Sequence, residues 1–237
     1  MKVSIVVPAF NEEALLAGSL AAIREAMRAF EDAELIVCDN NSTDRTAEIA
    51  RAAGAEVVFE PVNQIGRARN AGAAAASGDW LLFVDADSYP TRHLFEDALE
   101  QITGGRCVAG GATVAFESAD PTIRFWIAAW NFLSRRARWA AGSFIFCEAA
   151  AFRRLGGFSP ELYAGEEIDL FKRLKRLARE QRREIVILHR HPLRTSGRKA
   201  HLYTKREHFA FMLKTLLLGG RNLRSRESCY AWYDGRR

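Results

Sequence analysis

Four short apolar runs, each separated from the next by a helix-patterned segment, fill residues 3–84, and this alternation constrains the fold more than any other feature of the chain. The runs lie at residues 3–7, 35–38, 57–59 and 80–84. Residues 14–30 place Leu16, Leu20, Ile23 and Met27 at helical spacing, with Glu12 and Glu13 where carboxylates suit a helix N-terminus. Residues 46–53 read as a second helix, capped by Ser42 or Thr43 and ended by Gly54, and the alanine-rich stretch 66–76 reads as a third. Strands separated by helices in this way argue a parallel sheet with helices on both faces. The expected fold class is therefore α/β, a mostly parallel Rossmann-like sheet flanked by helices.

Beyond residue 87 the rhythm changes. Residues 94–102 are helical, 108–116 alternate like an antiparallel or edge strand, and 123–139 form an aromatic and basic stretch whose rings are expected mostly in the core, with an acceptor pocket or a membrane interface as the other readings. A strand at 144–147, helices at 149–155 and 167–177, a strand at 185–188 and an apolar helix at 209–218 complete the reading. The organisation expected is one domain over 1–200, with a nucleotide half to about residue 90 and an acceptor half after it, followed by a basic helical extension over 201–237.

Composition excludes several classes. With 49% hydrophobic and 27% charged residues the chain has the makeup of a packed domain, not of a disordered one. Its four cysteines include no CxxC pair, so buried reduced thiols are expected in place of a disulfide framework or a zinc site. Neither a leader nor an apolar run of membrane-spanning length is evident, and a cytoplasmic protein, or one peripheral to the inner face of a membrane, is expected. The net charge of +5 hides an asymmetry: residues 1–170 carry 15 basic and 24 acidic side chains, and residues 171–237 carry 19 and 5. A basic C-terminal third suits an anionic substrate or surface as well as plain solvation.

Ligands of an open parallel sheet sit beyond the carboxyl ends of its strands. Three of those ends are acidic here: Asn11-Glu12 after the first, Asp39 to Asp44 after the second, and Asp85-Ala86-Asp87 after the fourth. Extended backbone through the last motif would turn Asp85 and Asp87 to one side, where both reach a single hard cation. Taken alone, that motif more often serves as a capped turn before the helix that follows. Glu166, Glu167 and Asp169 open a later helix, where acids are ordinary partners of the helix dipole and also candidates for a general base.

Five motifs in order, Pro8-Ala9-Phe10-Asn11-Glu12-Glu13, Asp39 to Asp44, Gly66-Arg67-Ala68-Arg69-Asn70, Asp85-Ala86-Asp87 and Gly165-Glu166-Glu167-Ile168-Asp169, resemble those of the family 2 glycosyltransferases, whose fold is GT-A. The resemblance spans roughly residues 3 to 177 and implies transfer of a sugar from a nucleotide-diphosphate sugar to an acceptor hydroxyl, with inversion, aided by Mn2+ or Mg2+. It implies that Pro8, Phe10 and Glu12 line the nucleotide pocket, and that Asp39 binds the base, favouring a UDP-sugar. Asn41 lies in the same loop, and Arg69 and Asn70 lie near the sugar or diphosphate. Asp85 and Ala86 border the ribose or donor sugar, and Asp87 is a metal ligand. His189 or His191 is a further ligand, Arg194 and Arg198 belong to a basic loop over the diphosphate, and Glu166, Glu167 or Asp169 is the base. Glu167 stands where related enzymes carry Asp. The Gln-x-x-Arg-Trp motif of processive relatives is absent, which favours a single addition. The acceptor is open among a saccharide, a lipid and a small molecule, nucleic acid is not an expected partner, and peripheral membrane contact is an open reading. The competing readings are a degenerate nucleotide-sugar binder and a magnesium-dependent phosphatase, although phosphatases of that kind carry their Asp-x-Asp near the N-terminus.

Overall fold

The computed structural model describes residues 1–116, 121–196, 214–215, 218–229 and 233. Strand β1 (Val3–Ala9) is buried along its whole length. It pairs in parallel with β2 (Ala33–Asp39) on one side and with β4 (Trp80–Val84) on the other, and β3 (Glu56–Phe59) extends the sheet in parallel beyond β2. Helices α1 (Leu16–Met27), α2 (Thr46–Ala52) and α3 (Ile65–Ala75) make the crossovers. Because the chain steps from β1 to β2 and β3 and then returns to the far side of β1, the strand order reverses at β1, where such sheets open a ligand crevice.

The later strands are mixed. The short β5 (Ser88–Tyr89), β6 (Cys107–Ala115), β7 (Phe144–Glu148) and β8 (Glu184–Thr195) complete the order β3-β2-β1-β4-β7-β6-β8-β5. β7 is antiparallel to both β4 and β6, β6 is parallel to β8, and β5 is antiparallel to β8. The segment expected as an antiparallel or edge strand is antiparallel to β7 but interior to the sheet. It can be interior because Gly110 leaves room for the Phe146 ring, which a Cβ would meet at 2.3 Å.

The remaining helices are α4 (Arg92–Thr103), α5 (Pro121–Ala137), α6 (Ala149–Arg154) and α7 (Glu166–Glu180). Each face of the sheet carries its own core. Leu20 and Ile23 of α1 and Phe95 of α4 cover one face, while Phe152 of α6 and Leu170, Phe171 and Leu174 of α7 cover the other. Gly72 of α3 lets that helix press onto β1, since a Cβ there would meet Val6 Cγ1 at 2.5 Å. All four cysteines are buried and free.

Three local expectations change. Helix α2 is not capped by Ser42 or Thr43: Asp44 accepts from the Thr46 amide at 2.9 Å, one residue nearer the helix than Thr43 and two nearer than Ser42. Strand β8 runs seven residues past 188, to Thr195, because its second part pairs with β6 and β5 beyond a bulge. The aromatic stretch is not mainly core, for Phe125, Trp126 and Phe132 of α5 are exposed. Of the helix expected over 209–218, most lies outside the described residues.

Candidate active site

The loops after β1 and β2 are built against each other by short polar side chains. Asn11 and Asn41 both take left-handed backbone, with φ of 50° and 65°, conformations that asparagine tolerates better than most residues. The Ser42 hydroxyl accepts from the Asn11 amide at 3.0 Å, and Asn11 Oδ1 accepts from the Thr43 amide at 2.8 Å. Asp44 receives the Glu13 amide at 3.0 Å through one oxygen and the Thr46 amide and hydroxyl through the other. Partial burial pushes its carboxyl up, but the bonds from Thr46 and Glu13 outweigh that and hold it below its ordinary value. Asp39, buried at the end of β2, accepts from the Ser42 amide at 3.1 Å. Beside it Asn40 ties the end of β2 to the segment between β3 and α3: its side-chain amide donates to the carbonyls of Glu60 and Val62, and its Oδ1 accepts from the Gln64 amide. Pro8 lies within β1, and the Glu12 amide donates to the Thr46 hydroxyl at 2.8 Å. Phe10, just past β1, is half-buried, and Asn41, in the loop after β2, is exposed.

The second part of the site is centred on Arg69, on α3. Its side chain is only 1% exposed, so its charge must be compensated by groups inside the protein. Arg69 donates to Glu166 Oε1 at 2.8 Å, to Asp85 Oδ1 at 2.9 Å and to the Gly142 carbonyl at 2.9 Å, and its guanidinium lies 5.3 Å from the Phe158 ring centre. Two residues far apart in sequence, one on the acidic turn and one opening α7, are thereby fixed on a single cation. Asp85 and Glu166 are brought together by their shared contact with Arg69, not by proximity along the chain.

Glu166 and Glu167 open α7 after Gly165, whose φ of 74° suits glycine. Burial pushes the Glu167 carboxyl up, and the neighbouring Glu166 carboxylate adds to this while Arg69 opposes it; the group is raised to about 8. The Arg69 cation therefore bonds two carboxylates, Asp85 and Glu166, with Glu167 beside the second of them. Asp169 is engaged elsewhere, with Arg173 at 2.7 Å on the same helix. Asn70 spends both ends of its amide on the backbone of Phe158, at 2.8 and 2.9 Å.

The acidic motif is not extended. Asp85 to Ser88 form a turn closed by the Ser88 amide on the Asp85 carbonyl at 3.1 Å. The two carboxylates consequently have different neighbours: Asp85 faces Arg69, while Asp87 Oδ2 accepts from the Ser196 hydroxyl at 2.6 Å. Ser196 also donates its amide to the Asp87 carbonyl at 3.0 Å. Nothing in the sequence marks this serine, because β5 and β8 pair across roughly a hundred residues; only its position one residue past a strand could have suggested it. Arg194 sits on β8 opposite Tyr89, and Arg198 lies outside the described residues.

Two hard carboxylates on one turn suit a divalent cation such as Mg2+ or Mn2+. Among the described residues the protein takes one oxygen of each, Asp85 Oδ1 and Asp87 Oδ2, so the donor set fits such an ion. The histidines are not gathered there: no cluster of three or more His, Cys, Asp or Glu side chains able to hold a metal occurs among the described residues. His191 bonds Asp97 of α4 at 3.0 Å, and His189 lines a cavity beneath α5. Both fall where the register of β8 against β6 shifts, between Leu188 and Leu193.

A further set of contacts comes from beyond residue 200, which sequence reasoning set aside as an extension. The Tyr233 hydroxyl accepts from the Ile65 amide at the start of α3, its ring packs edge-on against Tyr163, and the Tyr163 amide donates to the Leu223 carbonyl.

The glycosyl transferase family 2 profile matches residues 4–156. The chain belongs to that family. An uncharacterized glycosyltransferase of Mycobacterium tuberculosis is 45% identical over 85 residues, 36% of this chain and 36% of that protein. Among solved structures, a mannosyltransferase from Pyrobaculum calidifontis in complex with GDP-Man and Mn2+ superposes with a TM-score of 0.67 at 19% identity, covering 87% of this chain and 61% of that one. Glucosyl-3-phosphoglycerate synthase from Mycobacterium tuberculosis, in complex with Mn2+, UDP-glucose and phosphoglyceric acid, gives 0.62 at 22% identity, covering 94% and 79%. At these identities the likeness concerns the fold, and it bears out the GT-A-type sheet expected for the chain. The family 2 chain spans about a third of the length of the curated relatives it matches first, with 36% of each covered.

Proposed function

We propose that this family 2 chain transfers a sugar from a nucleoside-diphosphate sugar to an acceptor hydroxyl, by a single displacement with inversion. The observation that carries this reading is the Arg69 cluster, which joins an acidic turn at a strand end to a carboxylate raised to about 8 at a helix start. The crevice between the β1 and β2 loops would receive the nucleoside. Asp39, at its floor, would accept from a base N–H, which favours a uracil over bases lacking an imide. Asp87, with the remaining oxygen of Asp85, would hold a divalent cation, Mn2+ or Mg2+; when bound, such an ion offsets the charge that develops on the departing diphosphate.

Arg69 does not act as a free cation toward the donor. Its charge is already shared by Asp85 and Glu166, so its role is to hold these two in register. Glu167 would take the proton from the acceptor hydroxyl as that oxygen attacks the anomeric carbon. A base is most effective when its proton affinity is near the working pH, and a carboxylate raised toward 8 meets that condition better than one near 4.

The test is Glu167→Gln. Removing a general base should lower turnover by about 10^2 to 10^4-fold while leaving UDP-sugar affinity within about twofold. A variant that binds donor normally and turns over at the full rate would move the base elsewhere. A melting temperature that rises with UDP and Mn2+, and loses that rise with a chelator, is the matching expectation for the donor side.

A further inference from the structure

Exposed large apolar side chains gather on α5: Phe125 is 65% exposed, Trp126 58%, Phe132 73% and Leu133 45%. At 3.6 residues per turn these four, with Ala129 and Arg136, fall within about a third of the helix circumference. The opposite side is anchored. Asn131 clasps the end of β6, accepting from the Val114 amide at 3.0 Å and donating to its carbonyl at 2.9 Å, and buried Ser134 donates to the Trp139 carbonyl. The stripe therefore faces outward by construction. A contiguous apolar patch of this kind marks an interaction surface more often than chance exposure does.

The surroundings of the stripe are cationic. Arg136 lies within it and also lines, with Arg138, Lys175, Arg179 and Arg183, a groove of about 280 Å3 at the C-terminal end of α5. The carboxylates that approach these cations are Glu184, 3.6 Å from Arg138, and Glu148, 2.7 Å from Arg183. Burial holds the Lys175 ammonium below its ordinary value, and Arg179 and Arg138 add to that. On the other flank Arg124 and Arg135 are exposed. A second copy of the chain is a poor occupant, because a two-fold contact through the stripe would set Arg136 and its neighbours against themselves. An aromatic and aliphatic stripe edged by arginines instead matches a helix lying in the plane of a charged lipid interface.

We infer that α5 docks this protein on an anionic lipid surface, with Phe125, Trp126, Phe132 and Leu133 entering the headgroup region and the arginine-lined groove meeting the anionic headgroups. No described helix is long and apolar enough to cross a membrane. The inference needs no donor and stands independently of the catalytic reading.

The experiment is sedimentation of the full chain with phosphatidylcholine vesicles, with and without phosphatidylglycerol. The protein should partition at least about tenfold more strongly onto the anionic vesicles, and added salt should weaken that binding. Phe125→Ser/Trp126→Ser/Phe132→Ser should lower partitioning about tenfold or more, since binding scales with the apolar area buried. Arg135→Glu/Arg136→Glu changes only exposed residues and should abolish the preference for phosphatidylglycerol. The UDP-induced rise in melting temperature should persist in both variants, which separates loss of docking from loss of the donor site. Equal binding to both vesicles, absence of binding, or unchanged binding by both variants would overturn the inference. So would a dimer that the triple variant dissolves, which would assign the stripe to a second copy.

Discussion

The loops after β1 and β2 and the acidic cluster around Arg69 occupy the same end of the sheet but are held in different ways. The loops are bound by neighbours on two adjacent strands: Asn11, Ser42, Thr43, Asp44 and Thr46 satisfy one another with short polar side chains and left-handed asparagines. The cluster is bound by reach, since Arg69 meets Glu166 97 positions later and Asp87 meets Ser196 109 positions later. The first arrangement divides its stability over many weak bonds, whereas the second concentrates it on one buried cation. Damage to the loops should therefore be graded, and damage to the cluster should be severe.

Arg69→Met is the strongest way to break this contrast. It leaves Glu166 buried and Asp85 partly buried without their cation, and removing one partner of a buried pair costs about 3–5 kcal/mol. Asp44→Ala, which removes a carboxylate serving two amides and a hydroxyl, should cost only about 1 kcal/mol, as loss of a helix-end cap does. Urea unfolding of the two variants reads both values. Equal losses would show that the loops are as concentrated as the cluster.

Much of the first region was legible in sequence because its causes are local. An apolar run followed by a polar turn identifies a strand and its ligand-facing end, and four such units specify a parallel sheet. The cluster was legible only as a set of acids. That Asp85 and Asp87 part company in a turn follows from β5, a two-residue strand that exists only because β8 lies beside it. The length of β8 was hidden for the same reason, since its second part is held by pairing and not by hydrophobic pattern. Helix α5 misled because aromatic residues at helical spacing look alike whether they face a core or the outside. Tyr233 gave no signal, because its partner Ile65 lies 168 positions away in the sequence.

The pH response gives an effect of intermediate size, with opposite signs for activity and stability. If Glu167 is the base, kcat/KM should rise about tenfold per pH unit up to a pKa near 8, because only the deprotonated form accepts the acceptor's proton. Stability should move the other way. Between the ordinary carboxyl value and about 8 the native chain holds a proton that the unfolded chain has released, so stability falls as pH rises and the contribution is gone above 8. Glu167→Gln should therefore melt at a higher temperature than the parent above pH 8 and at the same temperature near pH 4. A rate profile with its limb near 4.5 would separate Glu167 from the role of base, and a variant with no gain in melting temperature would detach it from the Arg69 cluster.

The smallest effect sharpens the contrast within the acidic turn itself. Ser196 holds Asp87 twice, by its hydroxyl at 2.6 Å and by its amide at 3.0 Å, and only the first depends on the side chain. Ser196→Ala keeps the amide bond and the strand pairing that places it, so the turn should persist while the carboxylate loses one constraint. Groups that orient a metal-binding carboxylate typically change metal affinity by about 10- to 100-fold, and the retained amide bond argues for the lower end. Mn2+ titration followed by intrinsic fluorescence should show affinity about tenfold weaker, with UDP affinity in the absence of metal unchanged. Tighter Mn2+ binding would mean that the hydroxyl competes with the ion for Oδ2, and Asp87 would then be restrained by Ser196 until a cation displaces it.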